Sequence, residues 1–435
     1  MDYTRSAALR ERSHELIPGG CHTYAKGDDQ YPALAPGFTA RGFGCHVWDV
    51  DGNEYIEYGM GNRAVTLGHA YPEVLRAVRR GLRWGSNFVR PSPIEIECAE
   101  TFLGMIRGAD MVKFAKDGSD ATSAAVRLAR ACTKRDFVAV CADQPFFSTD
   151  DWFIGSTAMC AGIPAAVRRL TLTFRYNDIA SVQALFDAHP GEIAALMLEP
   201  AKYEEPEDGF LHRARDLCHQ NGALFILDEM ITGFRWHNGG AQALYDVTPD
   251  LSTFGKGIAN GFSVSALAGK RAYMEWGGIR HDRDRVFLLS TTHGGETHAL
   301  AAAIATMRIF AREPVIATLE ERGTRLATGL RQAIRRHGLA AYVQVIGRPG
   351  CLAYVTRDED RNASQAYRAL FLQEIIRRGV IGMSFVLSYS HSNEDIDRTI
   401  EAVDGALAVY RRALDEGIGR YLVGHPCKPV FRRRA

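Results

Sequence analysis

Short, nearly continuous runs of apolar residues alternate with helical patterns through the middle of the chain. Three of these runs cover residues 137–141, 193–198 and 224–227. Strands that are covered on both faces of a parallel sheet show such runs, because neither face meets water. Amphipathic patterns over 120–131 and 210–221 predict helices between the runs. The alternation predicts an α/β domain over residues 66–315, with a mostly parallel central sheet and helices on both faces.

Both ends of the chain show a different pattern. Residues 1–65 begin with a charged helical arm and continue with two short strands joined at Asp51-Gly52, a dipeptide typical of a hairpin turn. Residues 316–420 alternate predicted helices with short strands, which indicates an α+β domain. Residues 421–435 are rich in Pro, Arg and Lys, and we expect them to form a basic extension on the surface.

Composition narrows the class of protein. Of 435 residues, 46% are hydrophobic and 24% charged, as in soluble globular proteins. The net charge of +1 gives no reason to expect nucleic acid or an anionic membrane as partner, and no apolar run reaches the length of a membrane span. The nine cysteines are dispersed without a Cys-x-x-Cys pair, which indicates reduced thiols. With no signal segment visible at the start, we expect a cytoplasmic protein without a metal site.

The most informative residue is a lysine between two glycines. Lys256 follows the short apolar stretch 251–254 and is remote from any cluster of charges, so we interpret it as an amine held inside a site. Upstream, the apolar run 223–227 ends at Asp228. An amine that can form a Schiff base and a carboxylate that can pair with a pyridinium nitrogen are the two groups that a pyridoxal phosphate (PLP) enzyme needs most. The alternative interpretation of Asp228 is an ordinary strand-end or helix-capping aspartate.

A turn of small residues opens the helix predicted after residue 117. Gly118 and Ser119 would present free backbone N–H groups at the helix N-terminus, and Ser119 would add a hydroxyl, which together suit a phosphate. Plain capping of the helix by Ser119 or Asp120 is the alternative.

In this order, the motifs resemble the class III aminotransferases, which are PLP enzymes of fold type I, and most closely the branch of glutamate-1-semialdehyde aminomutase. The segments that carry the resemblance are 18–20, 48–52, 67–69, 118–122, 176–178, 198–200, 227–235 and 255–256. It extends over about residues 15–410. It implies the fold type I PLP-transferase architecture, with a small α+β domain formed by the N- and C-terminal segments together.

The resemblance also implies a role for each matching residue. Lys256 would bind the cofactor as a Schiff base and act as acid–base catalyst, and Asp228 would pair with the pyridinium nitrogen. The other implied cofactor contacts are Gly118 and Ser119 at the phosphate, Phe146 and Met230 against the ring, Glu199 of the Glu-Pro motif, and Thr292, which would reach the phosphate from a partner chain. Thr291 is the alternative if the local alignment slips by one. Two copies of the chain would therefore share active sites in a homodimer.

Two departures from this branch argue against the mutase reaction. Lys26 stands where the branch uses an arginine, and a lysine does not reproduce the bidentate fork of arginine. Residues 383–391 also lack a glutamate of that branch. Near the ring-stacking segment, Asp150 and Asp151 suit a cationic, hydroxyl-rich substrate, although solvated surface is the alternative.

The core together with the Pro-Val-Phe-Arg tail at 429–432 resembles aminotransferases of aminosugar and aminoglycoside assembly. This resemblance implies an aminotransferase that moves an amino group from glutamate to an oxo-sugar or oxo-aminoglycoside, for example at a 6′-oxo group, in antibiotic or polysaccharide biosynthesis. Lys26, Arg63 and Arg235 are the candidates for binding the carboxylates of the donor. A PLP-dependent aminomutase or epimerase stays open as an alternative. A non-catalytic binding protein on the same scaffold is a more remote one, against which Lys256 and Asp228 argue. The Gly-x-Gly at 42–44 lacks the third glycine and the helix of a dinucleotide site, which excludes a nicotinamide dehydrogenase.

Overall fold

Helices and strands follow one another along the chain much as the apolar pattern predicts. The structure is a computed structural model that describes residues 1–146 and 148–434. Its strands are β1 (Thr39–Phe43), β2 (His46–Asp49), β3 (Glu54–Glu57), β4 (Met111–Ala115), β5 (Phe137–Cys141), β6 (Thr171–Phe174), β7 (Ile193–Leu198), β8 (Leu224–Asp228), β9 (Leu251–Phe254), β10 (Ser265–Gly269), β11 (Val343–Ile346), β12 (Cys351–Thr356), β13 (Val380–Ile381) and β14 (Phe385–Val386). Its α-helices are α1 (Thr4–Leu16), α2 (Met60–Arg63), α3 (Pro72–Leu82), α4 (Pro93–Leu103), α5 (Gly118–Thr133), α6 (Asp151–Ile154), α7 (Ala165–Arg168), α8 (Ile179–Ala188), α9 (Phe210–Gln220), α10 (Ala241–Leu244), α11 (Arg271–Met274), α12 (Thr297–Arg312), α13 (Val315–Arg336), α14 (Gln365–Ile376) and α15 (Asn393–Glu416).

A seven-stranded sheet in the order β4-β10-β9-β8-β7-β5-β6 forms the centre of the large unit. Strands β9, β8, β7, β5 and β6 run parallel, and β10 runs antiparallel to both β9 and β4. Every residue of β7 and β8 is buried, which explains why these strands are uninterrupted apolar runs. The predicted α/β fold with a mostly parallel sheet is confirmed.

The two faces of this sheet bury different helices. Val138 and Val140 of β5 lie in one cluster with the apolar face of α5. Ala139 and Cys141, which alternate with them along the strand, lie in a second cluster with α8 and α9. Successive side chains of a strand point to opposite faces, so one short strand contributes to both halves of the core.

A smaller α+β unit is built from both ends of the chain. It comprises Met1–Tyr71 and Ala317–Val430, while the large unit comprises Pro72–Ile316 and the residues from Phe431 onward. In the small unit β13 pairs in parallel with β3, with Val380 opposite Ile56, and so joins the two segments in one sheet, β1-β2-β3-β13. The predicted small domain from N- and C-terminal segments is confirmed. The boundaries of the four segments predicted from the sequence stay a prediction.

A buried carboxylate at the start of α15 organises part of the small unit. Asp395 accepts hydrogen bonds from the Nε2 of His46 (3.0 Å), the Sγ of Cys45 (3.3 Å) and the Oγ of Ser392 (2.7 Å). Cys45, His46 and Asp395 lie as close together as the ligands of a metal ion would. Because the bonds to Ser392 form the capping box of α15, we interpret the group as a helix cap tied to β2.

None of the nine cysteines forms a disulfide. Among the described residues, no helix is both long and apolar enough to cross a membrane.

Candidate active site

Four neighbouring parallel strands of the large unit end at the residues that the sequence singles out. Asp228 is the last residue of β8, and Lys256 comes two residues after the end of β9. Glu199 follows β7 directly, and Phe146 lies in the loop after β5. The carboxyl ends of adjacent parallel strands meet at one edge of the sheet, which is where open α/β sheets bind ligands.

Asp228 is a buried carboxylate, with 3% of its surface exposed. Its Oδ1 accepts hydrogen bonds from the backbone N–H of Met230 (3.0 Å) and the hydroxyl of Thr253 (3.1 Å). Burial raises its pKa to about 6, the negative charge of Glu199 adds to the rise, and the positive charge of Lys256 opposes it. Asp228 therefore has a strong electrostatic need for a cation inside this site.

Lys256 begins a single 3-10 turn, Lys256–Ala259, with a backbone φ of +41°. A residue other than glycine adopts such a left-handed backbone conformation at a cost of about 1–3 kcal/mol. Residues held in this way are concentrated at functional sites. The preceding Gly255 is fully extended, so the chain turns sharply at the end of β9. The half-buried lysine is thus fixed close enough to Asp228 to affect its ionisation.

Met230 fills the space between the two glycines of the site. A Cβ atom on Gly118 would lie 3.2 Å from the Met230 Sδ, and one on Gly255 would lie 2.6 Å from it. Only glycine fits at Gly255 without displacing the methionine. Met230 therefore connects the end of β8, the end of β9 and the start of α5.

The N-terminus of α5 is capped in a way that leaves its first turn open. The Asp117 carboxylate accepts a hydrogen bond from the N–H of Asp120 (3.1 Å) and completes a capping box with it. The N–H groups of Gly118 and Ser119 have no carbonyl partner within the helix, as in any first turn. The hydroxyl of the buried Ser119 accepts from the N–H of Thr149 (3.1 Å) and can still donate its proton. This side-chain arrangement explains why an aspartate is tolerated before the proposed phosphate site.

Phe146, Glu199 and Asp228 line one small cavity. The ring of Phe146 stacks on Phe153 with centroids 3.7 Å apart, so one face of the aromatic segment is fixed. Phe147, the next residue of this motif, lies outside the described residues. The cavity brings a flat apolar wall together with two carboxylates.

The residues predicted to bind substrate lie in different parts of the chain and differ in their contacts. The Oδ2 of Asp150 accepts a hydrogen bond from the hydroxyl of Ser123 (2.5 Å), which also accepts from the Trp152 indole, so Asp150 joins α5 to α6. Asp151 is exposed in the single turn of α6. Lys26 and Arg63 belong to the small unit, where Lys26 is exposed and an Nη of Arg63 lies 3.4 Å from the Ser384 hydroxyl.

Two further residues predicted from the family motifs differ in their exposure. Arg235 is almost completely buried in the large unit. Thr292 is exposed in the turn before α12. The functional roles of all these residues stay predictions.

Sequence reasoning overlooked the polar residues that surround these groups. Gln144 and Lys202 both bind Glu199. Glu229, next to Asp228, is buried and accepts hydrogen bonds from the N–H groups of Ala241 and Gln242 at the start of α10. The spacing of Glu199 and Lys202, three residues apart, is the one signal in the sequence that could have indicated an ion pair.

The donor set fits PLP. A buried carboxylate that needs a cation suits the pyridinium nitrogen, a strained lysine beside it suits the aldehyde, and the open first turn of α5 suits the phosphate. Fold and site are together those of a PLP-dependent enzyme of fold type I.

Comparisons with known proteins identify the family. The family model for aminotransferase class-III matches residues 27–407. The glutamate-1-semialdehyde 2,1-aminomutase of Chloroherpeton thalassium is 33% identical over 431 residues, which covers 92% of this chain and 97% of that protein. The chain belongs to the class III aminotransferase family, and PLP is its cofactor.

Two solved structures support the same assignment. The PLP internal aldimine form of the FumI protein from Sphingopyxis sp. MTA144 is 31% identical, with a TM-score of 0.87 over 95% of this chain and 98% of that one. An omega-transaminase from Sphaerobacter thermophilus is 26% identical, with a TM-score of 0.85 over 93% of this chain and 98% of that one. The similarity therefore spans both structural units.

Proposed function

We propose that this enzyme moves an amino group within or onto a small carbonyl compound, and that the 2,1-aminomutase reaction of its curated relatives is the first candidate. The observation that supports this candidate is the 33% identity to a glutamate-1-semialdehyde 2,1-aminomutase along nearly the full length of both chains. Aminomutase and aminotransferase chemistry need the same proton transfers at carbon, so the Lys256–Asp228 site suits both reactions.

Each residue of the site has one task in this proposal. PLP, when bound, supplies a ring that withdraws electrons from the amino-bearing carbon of the substrate. The Lys256 amine carries the proton to and from that carbon, and Asp228 keeps the ring nitrogen protonated by charge-assisted hydrogen bonding. Gly118 and Ser119 hold the phosphate at the start of α5. Phe146 and Met230 cover the ring and exclude water.

Transamination from glutamate to an oxo-sugar or oxo-aminoglycoside is the second candidate. It is favoured by the chain's own departures from the aminomutase pattern, above all Lys26 in place of an arginine. An arginine would bind a carboxylated substrate through two parallel hydrogen bonds, whereas a lysine offers only a point charge. Asp150 supports this candidate less than the sequence suggests, because its carboxylate is engaged by Ser123. Asp151 stays available on the surface of α6.

One experiment separates the two candidates. The purified holoenzyme is incubated with glutamate-1-semialdehyde alone, and separately with nitrogen-15-labelled glutamate and a panel of oxo-sugars and oxo-aminoglycosides. An isomer of unchanged mass, formed without an added donor, supports the aminomutase. A labelled amine formed together with an equal amount of 2-oxoglutarate supports transamination and identifies its acceptor.

The controls address the remaining alternatives. Lys256→Ala should abolish either product. Exchange of a substrate hydrogen with heavy water, without isomerisation or nitrogen transfer, would support an epimerase instead. An absence of turnover and of any PLP absorbance band in the wild-type protein would contradict both candidates.

We further propose a homodimer with shared sites, in which Thr292 of a second copy reaches the phosphate. The exposure of Thr292 on the single chain is compatible with such an interface.

A further inference from the structure

Glu199 is held rigidly beside the cavity that Asp228 and Phe146 line. Its side chain is 4% exposed. The Gln144 side chain forms two hydrogen bonds with the backbone of Glu199. Its Oε1 accepts from the Glu199 N–H (2.9 Å), and its Nε2 donates to the Glu199 carbonyl (3.0 Å). The position of this carboxylate is therefore set by the loop after β5 as well as by the end of β7.

Lys202 engages only one oxygen of this carboxylate. Its Nζ donates to the Glu199 Oε1 (3.0 Å) and to the Pro145 carbonyl (3.0 Å), and its side chain is 17% exposed. The Glu199 Oε2 is buried and has no hydrogen-bond partner in the part of the chain that the structure describes. A buried acceptor without a donor is costly, and a buried ion pair by itself is weak support for stability. The arrangement is better explained by a donor that enters the cavity.

The charges around the cavity balance only if Lys202 is counted. The negative groups are Asp228 and Glu199, and the positive ones are Lys256 and Lys202. Two other titratable groups lie near Glu199. Burial raises the pKa of the Cys141 thiol to about 12, so this thiol is neutral. Asp143 forms its own ion pair with Arg175 (3.1 Å).

We infer that Lys202 is a positioning residue of the PLP site. By binding Oε1 it orients the Glu199 carboxylate and leaves Oε2 to accept a hydrogen bond from a hydroxyl or amine of the cofactor or substrate. It also offsets the charge that Glu199 would otherwise place beside Asp228 and Lys256. This inference holds for either proposed reaction, since both use the same cofactor site.

The test follows the absorbance of bound PLP as a function of pH, without substrate. The quantity compared is the pH at the midpoint of the absorbance change. In Lys202→Met the uncompensated Glu199 favours the protonated form of the lysine–cofactor linkage, so this midpoint should rise by about one pH unit. In Glu199→Gln the uncompensated Lys202 should shift the midpoint downward by a similar amount. Lys202→Arg should restore the wild-type midpoint, and the double variant Lys202→Met/Glu199→Gln should lie within a few tenths of a unit of it.

Lys270 offers a matched control in the same sheet. It pairs with the buried Asp250 (2.6 Å) at the opposite end of β9, where no cofactor binds. Lys270→Met should lower the melting temperature and leave the midpoint unchanged. If Lys202→Met and Glu199→Gln both keep the wild-type midpoint, or shift it in the same direction, the inference is overturned. Because no substrate is present, this outcome would not bear on the choice between mutase and transaminase.

Discussion

Asp228 has opposite effects on the free protein and on the holoenzyme. Its pKa of about 6 is raised by burial, so the folded apoprotein gains stability from the protonated form and loses that contribution as the pH rises from about 4 to above 6. Asp228→Asn should therefore make the apoprotein more stable at pH 8, by about 1–3 kcal/mol. Urea denaturation of the two apoproteins at pH 5 and pH 8 measures this difference.

The same substitution should weaken the holoenzyme. Loss of a charge-assisted hydrogen bond to the ring nitrogen is worth about 1.5–3 kcal/mol, so PLP should bind roughly 10- to 100-fold more weakly. An Asp228→Asn variant that binds PLP as tightly as the wild type would contradict the assigned role of Asp228. Equal stability of both apoproteins at pH 8 would contradict the effect of burial.

The strained backbone at Lys256 makes a second prediction at the scale of one residue. Its φ of +41° is readily adopted by glycine. Lys256→Gly should therefore be more stable than Lys256→Ala by about 0.5–1 kcal/mol, although neither variant can bind PLP covalently. Chemical denaturation of the two apoproteins makes the comparison.

Ala259, in the same turn but without a left-handed φ, is the matched control. Ala259→Gly should be less stable than the wild type, because there glycine adds flexibility to the unfolded chain and removes a buried methyl group. If the alanine variant at 256 is the more stable one, the strain at Lys256 is refuted.

At the scale of elements, the cap of α15 depends on one carboxylate. Burial alone would raise the pKa of Asp395, but hydrogen bonds from His46 and Ser392 outweigh burial and hold this pKa well below its usual value. The stabilisation is therefore fully present above about pH 4 and is lost as the pH falls further. Asp395→Asn should lower the free energy of unfolding at pH 7 by about 1–3 kcal/mol, and the difference should narrow below pH 4.

Asp397 provides the comparison on the same helix. It is half-exposed and pairs with Arg325 (2.7 Å), a surface ion pair. Asp397→Asn should change the unfolding midpoint little at either pH. If the two variants lose the same stability at every pH, the cap is not the source of the effect.

Elements were easier to predict from the sequence than the contacts between them. Strands β5 and β7 coincide with their apolar runs, because neither face of such a strand meets water. The start of helix α13 at Val315 was not predicted, since a helix start depends on local capping more than on the apolar stripe.

The candidate site shows the same contrast. The positions of Asp228 and Lys256 in the fold could be predicted because each follows a recognisable apolar run. The clamp of Gln144 on Glu199 joins residues 55 positions apart, and no local pattern encodes it. The hydrogen bond between Ser123 and Asp150 was not predictable either, because Ser123 lies on a different element.

At the scale of the whole molecule, the proposed shared sites predict complementation. Lys256→Ala removes the lysine of one site, and Thr292→Val removes a phosphate contact of the site to which that threonine belongs. If Thr292 serves the other copy, a mixed dimer of the two variants has one site with both residues native and one with neither. It should bind one PLP per dimer with wild-type affinity.

Differently tagged variants allow the mixed dimer to be purified, and each homodimer serves as control. If Thr292 serves its own copy, no site in the mixed dimer is fully native, and high-affinity binding should be absent. A monomeric protein that binds PLP tightly would also contradict the shared sites.

The order of the two units along the chain has a consequence for synthesis on the ribosome. Apart from the residues from Phe431 onward, the large unit is one continuous segment, Pro72–Ile316, whereas the small unit needs β13 to pair with β3 from the other end of the chain. Domains generally fold as units while the nascent chain emerges. The sheet with Asp228 and Lys256 is therefore expected to form first, and a nascent chain could capture its vitamin-derived cofactor before the small unit has been translated in full.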